Sequence, residues 1–190
     1  PGTGYLETAR SAASGSALRD VFFLQPLAVE IVGLLVECVV SEGRFEVRSS
    51  QGDVAMDAAT HCSGALTASG DQRCVERALL RMRLGARAAS TGTLYDGFHL
   101  MGLQYGPGYR TLANAWGGAS DALGRLHSRS TQEGTQVHPA DLDDALCVSA
   151  VTTAHGGSEV RLPFAVSDAL LHAAQGELWA SVSSQGAETV

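Results

Sequence analysis

His138-Pro-Ala-Asp-Leu-Asp-Asp-Ala-Leu-Cys147, "HPADLDDALC", sets three aspartates within four positions directly after a His-Pro pair. Proline suits the first turn of a helix, where its fixed φ is already correct and its missing N–H costs no hydrogen bond. A helix N-terminus also attracts negative charge, so Pro139 predicts a helix start that Asp141, Asp143 and Asp144 all favour. Asp143 and Cys147 are four apart and share a face, which Leu142, Ala145 and Leu146 flank with apolar side chains. One carboxylate of the three is therefore expected to look inward.

The segments on either side of this helix read as strands. "TLANAWGG" (111–118) and "ALGRLHSRS" (122–130) precede it, and "VRLPFAV" (160–166) and "ELWASVSS" (177–184) follow it. The helix itself is expected to run over 139–154, with Gly156-Gly157 as its stop. The same order occurs near the N-terminus. Residues 4–14 place Leu6, Ala9 and Ala13 at helical spacing ahead of Gly15, and strand patterns follow. Phe45 and Val47 alternate with polar partners in "RFEVRSS", as do Val54, Met56, Ala58 and Thr60 in "DVAMDAATHCSGAL". "PLAVEIVGLLVECVV" (26–40), interrupted by Glu30 and Glu37, reads as a strand or strand pair, and turn signals at "SEG" and "SQGD" make hairpins of these runs. One helix among antiparallel strands, twice over, predicts an α+β fold of two similar halves: 1–70 and 101–190, joined by a polar, helix-prone connector over 71–100.

Composition narrows the function. With 45% hydrophobic residues among 190, the chain supports a packed core. A formal charge of -7, with scattered arginines, lacks the basic footprint of a nucleic-acid binder or of a protein held on an anionic membrane. No apolar run approaches a membrane span, and no secretory leader pattern opens the sequence, so a cytoplasmic location is expected. All 13 cations of the Lys+Arg count are arginines, which excludes phosphate loops, acylases and Schiff-base enzymes in the forms that need a lysine. Cys38, Cys62, Cys74 and Cys147 show neither CxxC pairing nor zinc-finger spacing, so free buried thiols are expected and no metal site. The six histidines never stand at i, i+4 on a helix, and each reads better as a core or surface residue than as a ligand; His138, at the mouth of the acidic helix, is the one to watch. "GLQYGPGY" by itself is a turn, and Cys147 by itself a small apolar filler.

Taken in order, "PGTGYLETA" (1–9), "LQYGPGYR" (103–110), "HPADLDDAL" (138–146) and "RLPFAV" (161–166) resemble the successive motifs of the dehydratase domains of modular polyketide synthases. That resemblance covers the chain from end to end. It implies a double hotdog, two helices each wrapped by antiparallel strands, and removal of water from a 3-hydroxyacyl group carried on the phosphopantetheine arm of an acyl carrier protein. No metal and no dissociable cofactor are implied. The expected partners are the carrier protein and the other synthase domains, with a homodimer possible in the assembled enzyme.

The family's His-Pro-x-x-x-Asp pattern falls on His138, Pro139 and Asp143, so the resemblance makes Asp143 the general acid that protonates the leaving β-hydroxyl. Asp141 and Asp144 then keep the role of favouring the helix start. That chemistry requires the Asp143 carboxyl to be protonated before turnover. Tyr105, Gly106 and Pro107 match the family's Tyr-Gly-Pro turn beside the acyl tunnel, and Leu162, Pro163 and Phe164 match a second wall segment. The sequence departs from the pattern at three places. The family's general base, a histidine nine positions before Pro1, is expected upstream of these residues, which would leave the stretch as written inactive. Cys147 stands where the family has a Gln or His that holds the β-hydroxyl, and Val166 stands where an aromatic is usual. Those two changes leave open a degenerate domain that only binds or spaces the carried chain, or a related cyclase or isomerase. The last strands of the family are also expected beyond residue 190.

Overall fold

The structure is a computed structural model, and it describes residues 2–14, 17–51, 58–68, 76–84, 87–131, 133–152, 164–171 and 176–183. These residues form two compact units.

The first unit comprises residues 1–72, 134–139 and 162–173. Helix α1 (Thr3–Ala12) buries Leu6 and Ala9 against its sheet. That sheet has the order β2-β3-β4-β1-β8, built from β1 (Ala17–Phe23), β2 (Leu34–Ser41), β3 (Arg44–Gln51), β4 (Ala59–Thr67) and β8 (Ala165–Ala169). Every pairing in it is antiparallel. The alternation read from "RFEVRSS" is realised in β3: Phe45 and Val47 are buried while Arg44 points to solvent. Each such side chain stabilises the fold by roughly 1.5–3 kcal/mol relative to exposure. The "SEG" signal is a two-residue hairpin turn. Glu42 and Gly43 have φ of 51° and 72°, and Ser41 pairs with Arg44 across them. Two positive φ values in succession give the type I′ geometry whose twist matches the flanking strands.

Two expectations change in this unit. Only the second half of "PLAVEIVGLLVECVV" is strand, because Pro26 removes a ladder donor and Gly33 turns the chain with a φ of 75°. Helix α1 also buries charge that the spacing of Leu6, Ala9 and Ala13 does not announce. Glu7 and Arg10, only 5% and 6% exposed, form a bidentate ion pair at 2.7 and 2.8 Å, and Glu7 accepts the Gln136 N–H at 2.8 Å. The pair's four bonded atoms leave little of either charge unsatisfied, which is the condition for tolerating a buried ion pair.

The second unit comprises residues 73–133, 140–161 and 174–190. Its sheet has the order β5-β6-β7-β9, from β5 (Ala88–Ala89), β6 (Leu112–Gly117), β7 (Asp121–Leu126) and β9 (Trp179–Ser183), again antiparallel throughout. The 71–100 stretch contains α2 (Arg77–Arg83) and α3 (Thr91–Leu100), the latter capped by the Ser90 hydroxyl accepting the Thr93 N–H at 3.2 Å. Tyr95 and Phe98, one turn apart on α3, join Leu112, Ala115, Ala122, Leu126 and Val148 in the core.

The acidic helix is α4 (Pro139–Cys147), shorter than its sequence suggests, and a 3-10 turn over Val148–Val151 continues it. Residues 153–157, where the helix end was expected, lie outside the described residues. The tighter turn lays its backbone directly on the sheet. A Cβ added at Gly117 would sit 1.9 Å from the Val151 carbonyl oxygen, and one at Gly124 2.5 Å from the Val148 side chain. Backbone cannot yield as a flexible side chain does. Gly117→Ala is therefore expected to destabilise the protein by about 1–3 kcal/mol, read as a lower urea midpoint at unchanged slope. An unchanged midpoint would show that the turn does not rest on this strand.

Candidate functional site

The three aspartates of α4 meet three different surroundings. Asp144 is fully buried. Its Oδ2 accepts the Tyr95 hydroxyl at 2.9 Å, the Thr111 hydroxyl at 2.7 Å and the Thr111 N–H. Burial raises its pKa above the ordinary carboxylate value, against the lowering effect of those donors. Asp141, 3% exposed, accepts the Arg129 Nε–H at 2.8 Å, and Arg129 also donates to the Gly108 carbonyl at 3.1 Å. Asp141 stands in the first turn of α4, where acid is favoured, whereas Asp144 lies beyond it. Both are anchors that tie α4 to the strands and turns beside it, because a carboxylate taken out of water must be met by donors.

Asp143 is half-buried and lies on the remaining face, one residue from Asp144 and so about 100° around the helix. The Tyr105 hydroxyl links it to Cys147. Tyr105 Oη is 3.2 Å from Cys147 Sγ, and a side-chain hydrogen bond also connects Tyr105 with Asp143. Burial, with those two neighbours, pushes the Tyr105 phenol well above its usual range, so it remains a neutral donor. Its ring is fixed by Phe98 and Tyr95, with centroids 5.4 and 5.9 Å away. Tyr95 and Phe98 are the part of the site that the sequence reading did not single out. Their signal was two aromatics at i, i+3 within a helix-prone segment.

Cys147 is half-buried, and burial pushes its thiol up to about 12, with the Tyr105 hydrogen bond only partly offsetting this. The thiolate is the nucleophile, so at neutral pH this group is a packed, weakly bonding thiol, as its filler reading expects. Iodoacetamide at pH 8 is accordingly expected to modify Cys147 about 10- to 10²-fold more slowly than a free cysteine, because the loss of thiolate outweighs the higher nucleophilicity of what remains, followed by peptide mass mapping. Alkylation at an ordinary rate would contradict the packing around it.

The other residues singled out in the sequence divide between the units. Gly106 and Pro107 lead from Tyr105 into a 3-10 turn, Pro107–Tyr109, in the second unit. His138 is half-buried at the entrance of α4, in the first unit with Pro139, whose carbonyl accepts the Thr3 hydroxyl at 3.0 Å. Phe164 also belongs to the first unit, where it is 69% exposed and packs edge-on against Phe22 with centroids 6.2 Å apart. Leu162 and Pro163 lie outside the described residues. Among the other histidines, His61 is 4% exposed and fully engaged. Its Nε2 is 2.7 Å from Ser49 Oγ, and its Nδ1 lies 3.3 and 3.2 Å from the Gln25 and Pro26 carbonyls.

An antiparallel sheet with its own helix in each unit is the double hotdog, and solved chains of that fold superpose on this one. A dehydratase domain from a trans-AT polyketide synthase of Brevibacillus brevis matches with a TM-score of 0.83 at 23% identity, over 100% of this chain and 75% of that one. The dehydratase domain from the CurF module of the curacin polyketide synthase matches at 0.81 and 20% identity, over 99% and 74%. The family model "Polyketide synthase dehydratase N-terminal domain" matches residues 75–189. The chain belongs to the polyketide synthase dehydratase family. Among curated relatives, the mycoketide-CoA synthase of Mycobacterium tuberculosis is 30% identical over 92% of the chain. Polyketide synthase ThaG of Burkholderia thailandensis is 29% identical over 98%, and polyketide synthase PksN of Bacillus subtilis 24% over 94%. The chain spans only 4–5% of the length of these relatives.

Proposed function

We propose that this chain is the larger part of a dehydratase that removes water from a 3-hydroxyacyl thioester carried by an acyl carrier protein. Asp143 gives its proton to the β-hydroxyl, which leaves as water. A histidine preceding Pro1 takes the α-proton, and the electrons of that C–H bond become the C=C bond of the enoyl thioester. The observation that carries this reading is the division of labour on α4: Asp141 and Asp144 are committed to internal partners, while Asp143 stands half-open beside the Tyr105 hydroxyl. One acid and one base suffice for an elimination next to a thioester, so the reaction calls for neither metal nor dissociable cofactor. Tyr105 holds the Asp143 carboxyl in place, and Cys147 occupies the position from which a longer polar side chain would reach the β-hydroxyl. Gly106 and Pro107, which follow Tyr105 in the second unit, complete the proposed substrate surroundings there.

The partners in this reading are the carrier protein and the neighbouring synthase domains of a cytoplasmic megasynthase. Among the described residues no helix is long and apolar enough to cross a membrane. The test is incubation of the full-length parent protein with a 3-hydroxyacyl carrier protein, followed by mass spectrometry of the carried group. Loss of 18 Da, the mass of one water, is expected. Binding without loss of mass would instead identify a domain that only holds or spaces the chain.

A further inference from the structure

One side chain of the second unit, Arg129, is bonded both to α4 and to the turn that carries Tyr105. Its Nε–H donates to Asp141 Oδ1 at 2.8 Å, and its Nη2 donates to the Gly108 carbonyl at 3.1 Å. Asp141 stands two residues before Asp143 on α4, and Gly108 three residues after Tyr105. With the Tyr105 hydroxyl bonded to Asp143, these contacts close a ring: from Tyr105 to Asp143, along α4 to Asp141, across Arg129 to Gly108, and back along the turn. Each link then limits where the others can lie.

The turn depends on such a link. Gly106, Pro107 and Gly108 are exposed, and a Cβ added at either glycine would meet no atom within 4 Å beyond its chain neighbours, so packing does not hold this stretch. Hydrogen bonds hold it instead. The Tyr109 N–H donates to the Gly106 carbonyl and Arg110 Nε–H to the Tyr105 carbonyl, each at 2.9 Å, but both bonds stay within the turn and its next residue. Arg129 comes from beyond β7 and joins the turn to α4. Phe98 and Tyr95 fix the tilt of the Tyr105 ring, while the reach of its hydroxyl toward Asp143 follows the backbone that carries it. The ion pair is also poorly built for stability alone. The Asp141 side chain is 3% and that of Arg129 17% exposed, yet Asp141 Oδ2 has no hydrogen-bond partner among the described residues. Apolar side chains of similar volume often match or exceed the stability given by a buried pair, and a defined geometry is what the pair adds.

We propose that Arg129 is a positioning residue for proton transfer from Asp143, acting through the Tyr105 turn, a role that rests on the dehydration reading above. Arg129→Met with Asp141→Leu, made together in the full-length protein, removes the link without leaving a lone charge in the core. The urea midpoint is expected to stay at the wild-type value or rise, while kcat for dehydration of a 3-hydroxyacyl carrier protein falls about 10- to 10²-fold at unchanged KM. A purely structural role would not separate these readouts. Arg129→Lys, whose ammonium lacks the fork that spans both acceptors, should fall in between. Adding Tyr105→Phe should lower kcat much less in the double variant than in wild type, because both changes act on one contact. Unchanged kcat overturns the proposal, and so does a Tyr105→Phe effect of equal size in the two backgrounds, whatever the midpoint does. Cys147 supplies a readout independent of turnover. Its thiol is bonded to the Tyr105 hydroxyl, so its alkylation by iodoacetamide should speed up several-fold once the turn is released, and an unchanged rate overturns the proposal. Wild-type protein that leaves the carried 3-hydroxyacyl group intact defeats the dehydration reading instead, and the alkylation rate then decides by itself whether Arg129 braces the turn.

Discussion

Asp143→Asn is expected to abolish dehydration by the parent protein, with a loss of about 10²- to 10⁴-fold, while leaving the unfolding midpoint unchanged. The amide fills the same volume and still meets the Tyr105 hydroxyl, so folding has little to lose. It has no proton to give to a departing hydroxyl, so the reaction loses its acid. The expected signature is a fall in kcat with the thioester KM preserved, because the group acts in the transition state and not in binding. Single-turnover mass spectrometry of the carried group measures it. A variant that still releases water at the wild-type rate would move the acid elsewhere, and the structure leaves no equivalent on α4, since Asp141 and Asp144 are both closed off from solvent.

At the neighbouring position the expected effect is on stability. Asp144→Ala strips the acceptor from the Tyr95 hydroxyl and from both donors of Thr111, in a place with no exposure. A buried donor left without a partner costs about 1–3 kcal/mol. Three of them should lower stability by roughly 3–5 kcal/mol, after the structure relaxes around the gap. Asp144→Asn keeps a carbonyl oxygen for the three donors and should be much milder. Its comparison with wild type also depends on pH. The folded protein raises the Asp144 pKa, chiefly by burial, so the neutral carboxyl is favoured in the fold. Such a group contributes its full stability below the ordinary carboxylate pKa. That contribution is lost as the pH rises through the raised folded value, where ionisation in the core begins to cost. The Asn variant cannot ionise, so it should gain on wild type as the pH rises from about 4, and the gap should stop changing above the folded pKa. Urea titrations across pH 3–8 test this; a gap independent of pH would mean that Asp144 is charged throughout the range.

These two residues show how far the sequence reaches into the site. Adjacent aspartates in an acidic helix start are alike in every local respect: propensity, dipole and exposure of the first turn. The family motif chooses Asp143 by spacing from His138 and Pro139, and the shared face with Cys147 is plain helix geometry. That Asp144 and Asp141 are anchors is not visible in that way, because their partners, Tyr95, Thr111 and Arg129, come from three other segments of the chain.

The same boundary runs through the fold. Alternation in β3, the Glu42-Gly43 hairpin, the helix start at Pro139 and the paired α+β order are set by neighbours two to four residues apart, so the sequence by itself determined them. The motifs likewise placed the chain in its family, because they depend on order and spacing alone. Tertiary structure decided that β8 joins the first sheet beside β1, although it follows α4 in the chain. It decided that α3 delivers Tyr95 and Phe98 to the core behind Asp144, and that α4 gives way to a 3-10 turn where Gly117 and Gly124 let the backbone come close. Each of these rests on a contact between segments far apart in sequence, where burial and hydrogen-bond satisfaction, and not local preference, select the conformation.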